Sequence, residues 1–206
     1  MIETTFLITT FVTLLVVIDP VSLAPMFVAL TPGMTNAQRR AVAARACLIS
    51  VGLLLVFGFF GESILAFIGI SMPAFQIGGG ILLFLTALDM LFDRRTARRE
   101  GHADVVEDPS VFPLAMPLIA GPGALAAMIL LINDAGRDWA GIIAVNAIMV
   151  GVVALCFVLF LAAGLIERAL GRTGTMVVTR LLGMLLAALS VQFVLNGLVA
   201  VGALPG

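Results

Sequence analysis

The sequence predicts an all-α fold, a six-span transmembrane helical bundle built as an inverted 3+3 repeat with broken helices 1 and 4. Three observations carry this prediction: the hydrophobic excess, two interruptions with the same proline spacing, and the distribution of arginine. Hydrophobic residues make up 62% of the 206 residues and charged residues 11%, a balance that a water-exposed surface cannot sustain. Since a span needs about 20 mainly apolar residues, we place helices near residues 4–30, 44–67, 72–92, 111–133, 139–166 and 179–202.

The first predicted helix is interrupted at residues 19–25 (DPVSLAP). A proline removes a backbone donor and frees a carbonyl, and in hydrocarbon each such group costs several kcal/mol unless something pairs with it. A carboxylate at this depth is also costly and usually faces a cavity or a partner. We therefore expect Asp19, Pro20 and Ser22 to contribute to a binding site for a coupling cation or a substrate amino group. The alternative, compatible with the first, is that Asp19 caps a helix that begins at Pro20.

The second and third predicted helices are separated only by three turn residues, Gly69, Ser71 and Pro73. A re-entrant excursion at this turn would change the number of spans. In helix 3, the run Gly78-Gly79-Gly80 predicts close helix packing. Gln76 and Thr86 are weaker candidates for a site. Asp89 lies one turn before the charged segment that follows, which favours an interfacial position over a buried proton relay.

Residues 93–110 form the predicted cytoplasmic linker between a first three-helix repeat (1–92) and a second one (111–206). The single histidine, His102, falls in this linker and is interpreted as solvated. All eleven cationic side chains are arginines, and ten of them fall after helix 1, after helix 3 or around the connection between helices 5 and 6. Only Arg137 lies on the opposite side. The positive-inside rule then predicts that both termini lie outside the cytoplasm.

The fourth predicted helix is interrupted at residues 117–123 (PLIAGPG), with the same Pro-x-x-x-x-Pro spacing as the first. Ala120, Gly121 and Gly123 predict a helix start with exposed N–H groups, which favours an anion such as a substrate carboxylate. Glycine also allows a ligand to approach the backbone closely. The alternative is a proline kink packed against small residues. Together with Asp19, this helix start favours a small zwitterionic solute such as an amino acid.

The last two predicted helices carry a few polar residues. Gln192 and Asn196 stand four residues apart and therefore share one face of helix 6. We include both among the candidate substrate-binding residues, with interhelical hydrogen bonding as the alternative. Asn146 in helix 5 has the same two interpretations. Elsewhere, Cys47 and Cys156 are predicted to be small buried thiols.

Two alignments predict that the halves are repeats. Pro20 and Pro25 superpose on Pro117 and Pro122, and residues 80–83 (GILL) superpose on residues 183–186 (GMLL). Three spans per half is an odd number, so the second copy would enter the membrane from the other side. The repeat is therefore predicted to be inverted.

Several of these motifs together resemble one known family of bacterial and archaeal membrane proteins, the MarC family. The matching segments are residues 19–25 (DPVSLAP), 78–82 (GGGIL), 87–91 (ALDML), 113–123 (PLAMPLIAGPG) and 192–197 (QFVLNG). The resemblance covers nearly the whole chain and implies a six-span protein of the inner (plasma) membrane. The family includes a SnatA-type transporter of small neutral amino acids, glycine and alanine. Many members have Gly and Asn where Ser22 and Leu23 stand here, which leaves substrate and ion choice open.

Taken together, the sequence predicts a secondary transporter of small neutral amino acids that works by alternating access around the two breaks, with H+ and Na+ as candidate coupling ions. The candidate substrate-binding residues are Asp19, Pro20, Ser22, Ala120, Gly121, Gly123, Gln192 and Asn196, and Asp19 is also the candidate for the coupling ion. A second hypothesis is an exporter or regulatory membrane protein for a ligand that is not an amino acid.

A third hypothesis, an intramembrane enzyme, is disfavoured. Asp19 and Asp89 lack the sequence context of an aspartyl protease, and the sequence offers neither a serine paired with a membrane histidine nor a metal-ligand cluster. We therefore expect no enzymatic activity, no metal, no cofactor and no nucleic-acid partner. The expected partners are the solute, its coupling ion and membrane lipid.

Overall fold

The computed structural model describes residues 3–92, 108–136 and 138–204, without the side chains of residues 165–170 and 172. Within these residues the chain is helical and contains no β-strand. The elements are α1 (Thr4–Ile18), α2 (Pro20–Leu30), α3 (Asn36–Ile68), α4 (Met72–Leu91), α5 (Ser110–Ile119), α6 (Pro122–Asp134), α7 (Trp139–Leu161) and α8 (Ala163–Ala200).

Five helical stretches in the described residues are long and apolar enough to cross a membrane. They are Thr4–Leu30, which combines α1 and α2, and then Asn36–Ile68, Met72–Leu91, Trp139–Leu161 and Thr173–Ala200. α5 and α6 are bent by 50° relative to each other and form a sixth span if the bend lies within one crossing. The prediction of an all-α membrane protein is thereby confirmed, with five or six spans.

α3 begins at Asn36, well before the predicted start at residue 44, because its first turn is polar but capped. Thr35 Oγ1 accepts a hydrogen bond from the Gln38 N–H (3.3 Å), and Gln38 Oε1 accepts one from the Thr35 N–H (2.9 Å). This reciprocal pair is a capping box. Arg39 then donates from Nε and Nη2 to the Thr31 carbonyl oxygen, at 3.3 and 3.1 Å, and so joins the end of α2 to α3.

The connection between α3 and α4 is a tight turn, without a re-entrant excursion. Gly69 ends α3 in the left-handed region (φ 83°), where glycine has no steric cost. Ser71 Oγ accepts from the Ala74 N–H (3.4 Å), and Pro73 lies in the first turn of α4. α8 also starts earlier than predicted, at Ala163, with non-helical backbone at Gly171 (φ 60°, ψ −178°).

α4 and α8 pack closely through glycines. A methyl group on Gly80 would lie 2.8 Å from the Ser190 carbonyl oxygen, and one on Gly183 would lie 3.3 Å from the Ala87 carbonyl oxygen. Moving forward along α4 therefore means moving backward along α8, so the helices run antiparallel. Glycine allows this approach because it has no Cβ. Gly78, by contrast, faces no heavy atom within 4 Å.

α6 lies largely in the interior of the bundle, although the interruption before it includes exposed residues, Met116 and Pro117. Every residue from Ala126 to Ile132 is buried. The helix contacts α1, α3, α4 and α7. Beside it, Phe27 of α2 stacks on Phe160 of α7, with ring centroids 4.7 Å apart. The body of α6 is therefore covered by neighbouring helices, whereas Pro122 at its start is exposed.

Some predictions concern residues outside those described. They include most of the linker (93–107) with His102, as well as Arg137, and the side chains of Arg168 and Arg172. The described end of the linker, Asp108, forms an ion pair with Arg45 of α3. This contact attaches the chain just before α5 to the first half of the protein.

Candidate functional site

The first interruption is a single residue, Asp19, between α1 and α2. Its backbone is left-handed (φ 53°, ψ 62°) and its side chain is fully buried. Asp19 Oδ1 accepts a hydrogen bond from the Ser22 N–H (3.3 Å), and Pro20 occupies the first helical position, where no N–H is needed. Asp19 therefore caps α2, which was one of its two predicted roles. It also lies within electrostatic range of Cys156 on α7, which is buried as predicted.

Ser22 connects the first interruption to the last helix. Its hydroxyl oxygen is hydrogen-bonded to the hydroxyl oxygen of Thr179 on α8. Both residues are partly buried. This hydroxyl pair therefore joins α2 to α8.

The second interruption is longer, and the predicted regular helix from residue 111 is wrong for its first part. α5 is a wide, π-type segment with extended backbone at Phe112 (φ −129°, ψ 125°) and Met116 (φ −131°, ψ 125°). Each of these residues precedes a proline, Pro113 or Pro117, and the ring of a following proline disfavours the helical region. The chain therefore becomes regular only at Pro122, where α6 begins.

α6 starts without a side-chain cap. Gly121 is its N-cap residue, and Leu125 is the first residue whose N–H donates back to the Gly121 carbonyl oxygen (3.0 Å). Pro122 has no N–H, so Gly123 and Ala124 supply the donors that have no partner within the helix. A methyl group on Gly121 would lie 2.4 Å from the Pro117 carbonyl oxygen, which only glycine avoids. The result is a helix start with a partial positive charge, at which Pro122 is exposed and Gly123 and Ala124 are buried.

A cavity of about 440 Å³ lies beside this helix start. Its walls are Val17 of α1 and Met26 of α2, residues of α4 between Leu82 and Asp89, and the α5–α6 junction between Phe112 and Ala124. The volume falls within the range of about 300–1,000 Å³ that is usual for small-molecule sites. The cavity therefore contacts the second interruption directly and comes within two residues of the first.

The predicted site residues of the two interruptions separate into two groups. Gly121 and Gly123 line the cavity, and Ala120 is buried at the same junction without lining it. Asp19 and Pro20 are buried at the first interruption, and Ser22 is half-buried beside them. These three residues do not form the cavity wall, although Val17 on the same chain segment does.

The structure places Gln192 and Asn196 on an exposed face of α8. Gln192 Nε2 donates to Asn196 Oδ1 (2.8 Å), within one helix rather than between two. Neither residue lines the cavity. Asn146 is buried in α7, where its Nδ2 donates to the Ile142 carbonyl oxygen (2.8 Å).

Two residues of the cavity wall, Thr86 and Asp89, are not among the main site residues that the sequence predicts. Both are half-buried on α4. The Thr86 hydroxyl donates to the Leu82 carbonyl oxygen (3.0 Å), which leaves its oxygen lone pairs as acceptors. The available signal was their spacing, because polar residues three apart on an apolar helix share one face.

An ion pair stands near the start of α5, between Arg45 and Asp108, and both side chains are exposed. The nearby Ser110, whose N–H donates to Asp108 Oδ1 (3.0 Å), together with the Arg45 guanidinium, holds the pKa of Asp108 below its ordinary value. The carboxylate therefore stays ionised at neutral pH and keeps α3 attached to the segment that forms the cavity wall.

Among the residues that the structure describes, no cluster of three or more His, Cys, Asp and Glu side chains is placed to hold a metal ion. The polar groups of the cavity are instead one carboxylate, one hydroxyl and the backbone donors of α6. Such a set is suited to hydrogen bonding and electrostatic attraction of a small solute.

Comparison with known proteins gives a consistent result over nearly the full length. The model of the family described as "MarC family integral membrane protein" matches residues 4–201. A UPF0056 membrane protein of Archaeoglobus fulgidus is 37% identical over 199 residues, which cover 94% of this chain and 92% of the relative. The UPF0056 membrane protein YvbG of Bacillus subtilis is 35% identical over 202 residues, covering 94% of each chain.

A further relative, the UPF0056 inner membrane protein YhgN of Escherichia coli, is 34% identical over 187 residues, which cover 91% of this chain and 93% of YhgN. No solved structure matches the chain. The family match and the relatives agree with the resemblance seen in the sequence motifs, and the chain belongs to the MarC family of integral membrane proteins.

Proposed function

We propose that this protein is a secondary transporter of small neutral amino acids, of the size of glycine or alanine, and that the cavity beside α6 is its substrate site. The observation that carries the proposal is the uncapped start of α6 in the wall of a cavity of about 440 Å³. A substrate carboxylate would accept hydrogen bonds from the Gly123 and Ala124 N–H groups and interact favourably with the helix dipole.

The proposed location is the inner membrane, with both termini outside the cytoplasm. The name of YhgN and the arginine distribution support it. Asp89 and Phe112 stand near the ends of α4 and α5 that lead into the linker. In this orientation the cavity lies in the cytoplasmic half of the protein, as in a transporter that faces inward.

An inverted repeat would supply the alternating access. Pro20 and Pro122 are each the first residue of a helix that follows an interruption, 102 positions apart, and Gly80 and Gly183 are 103 positions apart. This register is more uniform than the sequence pairing of Pro20 with Pro117. The reciprocal contacts of α4 and α8 are those expected of two elements related by a two-fold axis in the membrane plane.

Coupling to H+ or Na+ is proposed to involve Asp19, because carboxylates buried within membrane spans are costly and typically lie on proton or ion pathways. Because Asp19 also caps α2, a substitution at this position can remove the charge alone or the charge and the cap together. Asn caps a helix about as well as Asp and tolerates left-handed backbone, whereas Ala does neither. Asp19→Asn therefore removes the charge and keeps the cap, and Asp19→Ala removes both.

The test is uptake of labelled alanine by proteoliposomes under an imposed H+ or Na+ gradient. The wild-type protein is expected to accumulate alanine. Asp19→Asn is expected to abolish accumulation but to retain exchange of internal for external alanine, since binding remains while coupling is lost. Asp19→Ala is expected to be less stable as well. Normal accumulation by a stable Asp19→Asn variant would exclude Asp19 from coupling.

The composition of the cavity wall favours a second candidate function, export or sensing of a less polar ligand. Most of the side chains are apolar, including Met26, Leu82 and Phe112. Thermal unfolding of the purified protein with amino acids and with apolar drugs separates the two functions, because a ligand that binds only the folded state raises its stability. Stabilisation by drugs and not by alanine would support this alternative.

A further inference from the structure

We propose that Thr86 and Asp89 form a subsite for an ammonium group, which fixes the orientation of a zwitterionic solute in the cavity. This inference rests on the proposed function and deepens it. The carboxylate end of the solute would lie at the start of α6 and the ammonium end at α4. Asp89, rather than Asp19, is then the carboxylate that contacts the solute.

The hydrogen bonding of Thr86 supports this assignment. Its hydroxyl proton is donated to the Leu82 carbonyl oxygen, so the group facing the cavity is an acceptor. An ammonium group can donate to it, whereas a carboxylate would find no donor there. The position of a Cβ on Gly123 would be only 3.4 Å from Thr86 Oγ1, so this acceptor stands directly beside the donors of α6.

The position of Asp89 completes the charge pattern. Asp89 lies three residues after Thr86, on the same face of α4, and lines the same cavity. The cavity therefore has a negative carboxylate on one wall and the positive end of a helix on another. Asp19 lies outside the cavity wall and accepts from the Ser22 N–H instead. A small molecule with one group of each sign matches this arrangement.

The experiment measures how well three probes protect the purified protein against thermal unfolding: alanine, propionate, which lacks the ammonium group, and alaninamide, which lacks the carboxylate. Each is titrated against wild type, Asp89→Asn, Thr86→Val and Thr86→Ser. Asp138→Asn serves as the matched control, since Asp138 is an exposed acid at the start of α7 and lies outside the cavity.

Asp89→Asn is expected to weaken alanine and alaninamide binding about 10- to 100-fold, the usual size for a lost hydrogen bond to a charged group. Propionate binding is expected to stay the same or to improve, because the repulsion of its carboxylate is gone. Thr86→Val is expected to weaken alanine binding and Thr86→Ser to restore it. The control is expected to behave as wild type.

The inference is overturned if Asp89→Asn leaves alanine binding unchanged, or weakens alanine and propionate to the same degree. The second result would indicate a general change of the cavity. A wild-type protein that binds and transports no amino acid would instead contradict the proposed function itself. Transport by wild type that is insensitive to Asp89→Asn would contradict the ammonium subsite alone.

Discussion

Gly80 on α4 and Ser190 on α8 approach so closely that a methyl group on Gly80 would lie 2.8 Å from the Ser190 carbonyl oxygen. The contact partner is backbone, which cannot rotate away as a side chain can. On the other side of the crossing, a methyl group on Gly183 would lie 3.3 Å from the Ala87 carbonyl oxygen. The close packing of the antiparallel pair α4 and α8 therefore depends on one glycine from each helix.

The first prediction concerns this crossing. Gly80→Ala is expected to destabilise the protein by about 1–3 kcal/mol, because the helices must separate to admit the methyl group. Gly78→Ala is the matched control: it lies on the same helix, faces no atom within 4 Å, and is expected to be neutral or slightly stabilising. Thermal unfolding in detergent measures both. Equal stability of the two variants would show that the crossing is looser than described.

A second prediction separates the two glycines of the cavity wall. Gly121→Ala is expected to disrupt the start of α6, since its methyl group would lie 2.4 Å from the Pro117 carbonyl oxygen. Gly123→Ala places its methyl group 3.4 Å from Leu83 and Thr86, which small shifts can accommodate. We expect Gly123→Ala to fold and to transport alanine less well relative to glycine. Initial uptake rates test this, and an unchanged ratio would exclude contact between Gly123 and the substrate.

A third prediction concerns the hydroxyl pair of Ser22 and Thr179, which joins α2 to α8. Removing either hydroxyl, as in Ser22→Ala or Thr179→Val, is expected to cost about 0.5–1.5 kcal/mol. The double variant is expected to lose less than the sum of the two single losses, because both remove the same hydrogen bond. Strict additivity in unfolding measurements would show that the pair contributes no coupling.

A fourth prediction follows from the lowered pKa of Asp108. A carboxyl group whose pKa is lower in the folded state stabilises the fold above its unfolded pKa, ordinarily 3.8, and this stabilisation is lost as the pH falls through the folded value. Asp108→Asn is expected to remove that acid-side dependence. The effect is expected to stay below about 1 kcal/mol, since the Arg45 pair is exposed, and to diminish in 1 M salt. Stability measured from pH 3 to pH 7 gives the comparison.

The sequence was sufficient to predict the membrane class and the family, both of which are confirmed. It could not identify which proline begins a helix, because Pro117 and Pro122 have the same spacing as Pro20 and Pro25 and allow two registers. The backbone shows Pro20 and Pro122 in the same position, each at the start of a helix. Hydropathy likewise missed the polar first turn of α3, where Thr35 and Gln38 cap each other.

The sequence also could not show in which direction a polar face of a helix points. Helical spacing indicates that Gln192 and Asn196 share a face, but lipid and protein interior are both apolar, so the pattern does not show which of them that face meets. The same ambiguity applied to Thr86 and Asp89, which line the cavity. A buried Asp beside a proline could cap a helix or bind an ion. Only the structure shows that Asp19 caps α2.

The most direct test of the proposed function is to fill the cavity and measure uptake of labelled alanine in proteoliposomes. Thr86→Phe places a ring in the cavity, whereas Leu85→Phe places one at the neighbouring exposed position of α4. With both variants folded and equally stable, we predict that Leu85→Phe transports alanine like the wild type and that Thr86→Phe does not. Transport at the wild-type rate by Thr86→Phe would contradict the assignment of this cavity as the substrate site.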